Sequence, residues 1–251
     1  MNNANDHVDE VTWENLIPAE HWAVYKCVLD RLAEEQLPFA LGGGLALGVY
    51  TEKFRRSKDL DIYIVPEHRE QVIRVMSECG LDDYFPVKEY VRHWIYRGYR
   101  DDVIVDAIWA MANQRAEVDS RWIEGGPMVQ MFGQEFHVIP PEELLWSKLY
   151  VMQRDRCDWP DIMNLVYAAG PTLDWNHLLH RVAEDRPLLK GVLSVFSWLS
   201  PQRAAGIPSR VWEQLGLAVP KPETDPEGRP ARKDLLDTRP WLFAEQQLAA
   251  A

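Results

Sequence analysis

Between residues 19 and 36, Trp22, Tyr25, Val28, Leu29 and Leu32 recur at three- and four-residue steps, the period of a helix with one buried face. Pro38 stops it. Phe39-Ala40-Leu41 is a short apolar run that ends in Gly42-Gly43-Gly44 and resumes as Leu45-Ala46-Leu47, which predicts a strand–turn–helix junction. Leu60-Asp61-Ile62-Tyr63-Ile64-Val65 alternates in its first half and is apolar thereafter, as a mostly buried strand is, and Pro66 ends it. Residues 67–79 predict a helix with Val72, Ile73, Val75 and Met76 inside. Residues 91–96 and 103–109 predict two strands joined by a turn at 98–102. Residues 128–139 predict a hairpin that turns at Phe132-Gly133-Gln134.

Pro140-Pro141 marks a change of character. A helix over 142–153 begins beside its proline, where a missing N–H costs little, and further helices are predicted over 159–169, 174–184 and 187–199. From 219 onward the chain is rich in proline and charge, which predicts a surface-hugging or mobile tail. The expected fold class is α/β in the α+β sense. A domain built on a mixed β-sheet spans residues 1–139, a helical domain spans 140–218, and the tail spans 219–251.

Composition places the chain among ordinary soluble globular proteins: 47% of its 251 residues are hydrophobic and 26% charged. No stretch approaches the roughly 20 apolar residues of a membrane span. The first residues, MNNANDHVDE, lack the basic-then-apolar build of a secretory signal. Cys27, Cys79 and Cys157 are far apart and match neither a disulfide framework nor a zinc-ligand spacing. They are expected to be small buried hydrophobes in a reducing cytoplasm. The net charge of −12, with eight Asp/Glu against two Lys/Arg in residues 1–40, disfavours a broad surface for nucleic acid. The main basic cluster, Lys53, Arg55, Arg56 and Lys58, stands immediately before an acidic pair.

That pair is Asp59-Leu60-Asp61. Acids at i and i+2 on a strand point to one face, and placing them side by side costs free energy through repulsion unless a cation lies between them. Hard oxygen ligands suit Mg²⁺ or Mn²⁺. The alternative is that Asp59 sits in solvent at the strand's mouth. Val103-Ile104-Val105-Asp106-Ala107-Ile108-Trp109 carries a single acid at the centre of an apolar strand, and a buried lone Asp is rare without partners. If the two strands are neighbours, Asp106 completes a three-carboxylate cluster; the alternative is a salt bridge to Arg92 or Arg97. Gly42-Gly43-Gly44, between strand and helix, allows phosphate oxygens to approach backbone N–H groups, although a tight turn accounts for the glycines equally well. Trp94, Trp109, Trp146 and Trp159 lie near these motifs, as core residues or as stacking surfaces.

Leu41-Gly42-Gly43, a helix, Asp59-Leu60-Asp61-Ile62 and then a strand bearing Asp106 resemble, in that order, the nucleotidyltransferase superfamily of DNA polymerase β. The resemblance is to its small bacterial branch of antibiotic nucleotidyltransferases and AbiEii-type toxins, and it covers residues 38–169. Fifteen residues separate Gly43 from Asp59, slightly more than is common, and Gly44 replaces a larger or hydroxyl side chain. The resemblance implies that Asp59, Asp61 and Asp106 hold Mg²⁺ or Mn²⁺ and that an NTP is the co-substrate. It implies that Gly42 and Gly43 hold its phosphates, with Lys58 and Lys148 as further nucleotide-binding residues; Arg154, Arg156, Asp158 and Asp161 fit the family's basic–acidic stretch less closely. Lys148 is expected to point into the carboxylate-lined cleft, so that its loss weakens NTP binding with the fold nearly intact. The implied reaction moves an NMP to a hydroxyl of a small molecule, RNA or protein and releases pyrophosphate. The acidic surface suits a cationic small molecule better than a tRNA. The alternative is a non-catalytic nucleotide-binding or toxin–antitoxin module of the same fold, in which loss of one acid is the usual mark.

Overall fold

The computed structural model describes residues 16–54, 59–113, 116–154 and 156–222. Helix α1 (Ala19–Glu34) buries Val24, Tyr25, Val28, Leu29 and Leu32. Trp22, half-buried at the edge of that stripe, stacks on Phe132 with ring centres 4.0 Å apart. Strand β1 (Phe39–Leu41) leads through Gly42 into α2 (Gly43–Thr51). Then follow β2 (Asp59–Ile64), a 3-10 turn at Pro66–His68, α3 (Arg69–Glu78), β3 (Asp82–Asp83), β4 (Ile95–Arg100) and β5 (Val103–Ile108). Helix α4 (Ser120–Glu124) precedes a separate hairpin of β6 (Met128–Met131) and β7 (Gln134–His137).

The main sheet has the order β1-β2-β5-β4-β3, and it is mixed. β2 runs parallel to β5, and the other neighbouring pairs are antiparallel. The β2–β5 pairing sets Asp61 directly opposite Asp106. Strand β4 begins at Ile95, four residues beyond the start expected from the pattern, and runs through Gly98. Gly98 belongs inside the strand because Met76 of α3 fills the place of a side chain: its Cε lies 2.8 Å from where a Cβ would stand. The turn is thereby reduced to Asp101-Asp102, with Asp101 in the left-handed region at φ 55. The second hairpin turns at Phe132-Gly133, both at positive φ (51 and 77), the twist that suits a two-residue hairpin loop.

From residue 141 to 214 the described regular elements are all helices: α5 (Pro141–Lys148), α6 (Trp159–Ala169), α7 (Trp175–Val182), α8 (Arg186–Leu199), α9 (Pro201–Ala204) and α10 (Ser209–Gln214). Buried apolar residues from Val24 to Leu215 form one cluster. Helix α5 ends at Lys148, short of the expected 153. Beyond it the chain doubles back, with a Met152–Cys157 bridge, Gln153 N–H donating to the Arg156 carbonyl at 2.7 Å and Asp158 N–H donating to that of Val151 at 3.0 Å. The reversal returns Asp158 to Lys148, which a continued helix would prevent.

The cysteines also differ from expectation. Cys27 of α1 and Cys79, which follows α3, form a disulfide with Cα atoms 5.9 Å apart, and Cys157 is exposed. The pairing follows from α1 lying along α3, a juxtaposition across 52 residues that no linear spacing displays. Two of the three cysteines are therefore paired, not separate buried hydrophobes. No described helix is long and apolar enough to cross a membrane. Lys58, with Arg55 and Arg56, and the tail beyond residue 222 lie outside the described residues.

Candidate active site

Asp59 and Asp61 are the first and third residues of β2, so the pleat sends both to one face. Asp106, on the adjacent parallel strand and in register with Asp61, joins them on that face. One ligand oxygen from each of the three lies within 4.8 Å of the others. Asp106 is almost completely buried, at 1% exposure, and the other two are half-buried. The opposite face is filled by α3, whose Met76 meets Gly98, the residue next to Arg97.

Three carboxylates so close repel one another. The Asp61 carboxyl is pushed from 3.8 up to about 8, first by burial and then by Asp59 and Asp106, with Lys148 and Arg156 pulling it partly back. Asp106 is raised by burial as well, against the opposing pull of Arg97. A divalent cation removes the repulsion. The donor set is all oxygen, the choice of Mg²⁺ and Mn²⁺, so the residues present fit such an ion.

The glycine turn is built against this cluster. Gly43 has φ +57, and a Cβ there would stand 1.6 Å from Oδ2 of Asp61. A Cβ on Gly42 would stand 2.2 Å from the Tyr63 ring. Only glycine lets the start of α2 settle onto the acid-bearing strand. The Gly42 N–H donates to the Asp61 carbonyl at 2.9 Å, so it is committed to the sheet. The next amides, at the first turn of α2, have no acceptor within the helix by position and point their dipole toward the same end.

Lys148 is 5% exposed, and its ammonium donates to Asp158 at 3.1 Å and Asp161 at 2.9 Å. It neither reaches the outer surface nor stands alone. Arg156 donates from Nε and Nη2 to the two oxygens of Asp158, both at 3.3 Å. The charges of both cations pull the Asp61 carboxyl back toward its ordinary range.

Arg97 of β4 faces Asp106 across the ladder and grips both of its oxygens, Nε to Oδ1 at 2.7 Å and Nη2 to Oδ2 at 2.5 Å. The sequence offered this salt bridge and the acid cluster as alternatives; the structure contains both. Arg92 instead pairs with Asp83. Tyr25 was read only as a core residue. Its hydroxyl is buried and has no hydrogen-bond partner among the described residues, and its pKa is raised by burial and then by Asp59, Asp61, Asp102 and Asp106. Trp109 and Trp146 are buried, and the Trp109 indole donates to the His93 carbonyl at 3.0 Å.

No curated protein matches the chain. Among solved structures, the antibiotic-resistance factor ANT(2'')-Ia in solution shares 16% identity over 70% of this chain and 96% of its own, with a TM-score of 0.44. The same protein in complex with adenylyl-2''-tobramycin gives 15% identity over 67% and 98%, with a TM-score of 0.45. The lincosamide antibiotic adenylyltransferase LnuA, lincomycin-bound, gives 17% over 60% and 98%, with a TM-score of 0.42. Likenesses of this depth assign no residue and no substrate. A family model described as uncharacterised nucleotidyltransferase matches residues 20–196. That span holds the glycine turn, all three acids and the Lys148 group, and the chain belongs to this nucleotidyltransferase family.

Proposed function

We propose that the protein moves an NMP from an NTP to a hydroxyl acceptor, releasing pyrophosphate, at a divalent-metal site made by Asp59, Asp61 and Asp106. The observation that carries this reading is the convergence of three carboxylates, oxygens within 4.8 Å, directly under the glycine turn that opens α2. When bound, the metal supplies charge neutralisation for the triphosphate and for the oxygens entering and leaving phosphorus.

The chain's own residues do the rest. The amides of Gly43, Gly44 and Leu45 at the first turn of α2 are placed to hold phosphate oxygens, and Gly42 contributes shape rather than a donor. Lys148 and Arg156 bring positive charge to the Asp61 side of the site. Direct contact between Lys148 and a phosphate requires its ammonium to be shared with Asp158 and Asp161. Asp106 is the acid nearest to the role of accepting the proton of the attacking hydroxyl, and Arg97 holds it in place. Residues to 139 carry the chemistry in this reading, and the helices of 140–218 cover it.

The net charge of −12 favours a cationic, hydroxylated small molecule as acceptor over a tRNA. Incubation of each α-labelled NTP with Mg²⁺ or Mn²⁺ and with separate small-molecule, RNA and protein fractions tests both points. Label moving into the small-molecule fraction supports them. Label moving only into RNA overturns the acceptor class, and label moving into no fraction with any NTP overturns the reaction.

A further inference from the structure

The Arg97–Asp106 pair bears on how the site is loaded, an inference that rests on the metal-site reading above. Arg97 stands opposite Asp106 in the β4–β5 register and engages both carboxylate oxygens at 2.7 and 2.5 Å. Asp106 is 1% exposed, whereas the side chain of Arg97 is 26% exposed. The backbone of Arg97 is fixed on both sides: its N–H donates to the Tyr90 hydroxyl at 3.0 Å, and its carbonyl accepts from Tyr84 N–H at 3.0 Å. The Tyr84 ring lies beside the guanidinium, 5.9 Å from Cζ to the ring centre.

The same Asp106 that Arg97 grips offers an oxygen to the cluster with Asp59 and Asp61. A carboxylate has about four lone-pair sites, and a forked guanidinium fills two of them. Arg97 and a divalent cation therefore compete for one acid, both by occupying its oxygens and by charge. We propose that Arg97 is a positioning residue with two effects. It holds Asp106 in the orientation that completes the cluster, and it weakens the binding of free divalent cation until the nucleotide brings its own negative charge.

Mn²⁺ affinity of the nucleotide-free protein, read by electron paramagnetic resonance of unbound Mn²⁺, tests this without any turnover. Arg97→Gln keeps an amide nitrogen at the place of the guanidinium Nε and removes the charge and the second donor. Removing a unit charge within a few ångströms of the site should tighten Mn²⁺ binding by at least ~10-fold. Arg97→Lys keeps the charge but cannot fork, and its affinity should fall between wild type and Arg97→Gln. NTP added at saturation should narrow the differences among the three. If Arg97→Gln does not fold, the wild-type and Arg97→Lys comparison reads the same quantity. Mn²⁺ affinity in the folded variants that is equal to or weaker than that of wild type overturns the inference. Arg97→Gln protein that binds no Mn²⁺, or that binds it equally well when Asp61→Asn is added, overturns the metal-site reading itself.

Discussion

At the scale of single residues, the site depends on one missing methyl. A Cβ on Gly43 would stand 1.6 Å from the Asp61 carboxylate on a backbone at φ +57, so Gly43→Ala must shift the turn, the acid or both. The expected cost is about 1–3 kcal/mol of stability in denaturant unfolding, together with loss of Mn²⁺ binding. A second expectation follows from Asp61, whose carboxyl is raised from 3.8 to about 8 in the folded, metal-free protein. Between those values the folded state holds a proton that the unfolded state has released. The Asp61 contribution therefore favours the folded state most at the acidic end and falls as pH rises from about 4 to 8. Unfolding of metal-free protein at several pH values should show this fall in wild type and a shallower one in Asp61→Asn. A steeper fall in Asp61→Asn would contradict it. The acids themselves were legible in the sequence, since period-two alternation puts Asp59 and Asp61 on one face and a lone Asp106 in an apolar strand needs partners. Arg97 was legible only as a rival explanation, because seeing both roles requires the β4–β5 register.

At the scale of elements, α5 and the reversal after it act together. Lys148 is closed in with Asp158 and Asp161, and Arg156 joins Asp158. In the sequence those acids, ten and thirteen residues beyond the lysine, enter only as a loose fit to the family's basic–acidic stretch. The hydrophobic pattern continues α5 past 148 and gives no sign that the chain folds back. The consequence differs from that expected of a lysine aimed only at phosphate. Lys148→Ala strands buried carboxylates and should cost about 3–5 kcal/mol of stability, besides any loss of nucleotide binding. Stability unchanged within about 0.5 kcal/mol in denaturant unfolding would mean that the pair is not closed in as described. The Cys27–Cys79 link ties α1 to the end of α3 across 52 residues. Closing a loop of that length corresponds to about 4 kcal/mol in the chain-entropy account. Thermal melts with and without reductant should separate accordingly, and identical melts would show that the link adds nothing.

At the scale of the whole molecule, the order of motifs carried more than any one of them. The glycine turn, the acid pair and the third acid lie on three separate elements, and the mixed sheet brings them together because β2 and β5 are parallel neighbours. The fold class was legible from the switch between period two and period 3.6, and the edges of β4 and α5 were not, because packing at Gly98 and pairing at Lys148 set them. Asp59, Asp61 and Asp106 are proposed to hold divalent metal beside a bound NTP. The most direct measurement is anomalous scattering from crystals grown with Mn²⁺ and a non-hydrolysable NTP analogue. A peak is expected within about 2.0–2.6 Å of oxygens from Asp59 and Asp61, with the triphosphate running to the first turn of α2. A nucleotide bound elsewhere, or an acid cluster without Mn²⁺ while nucleotide is present, would contradict it.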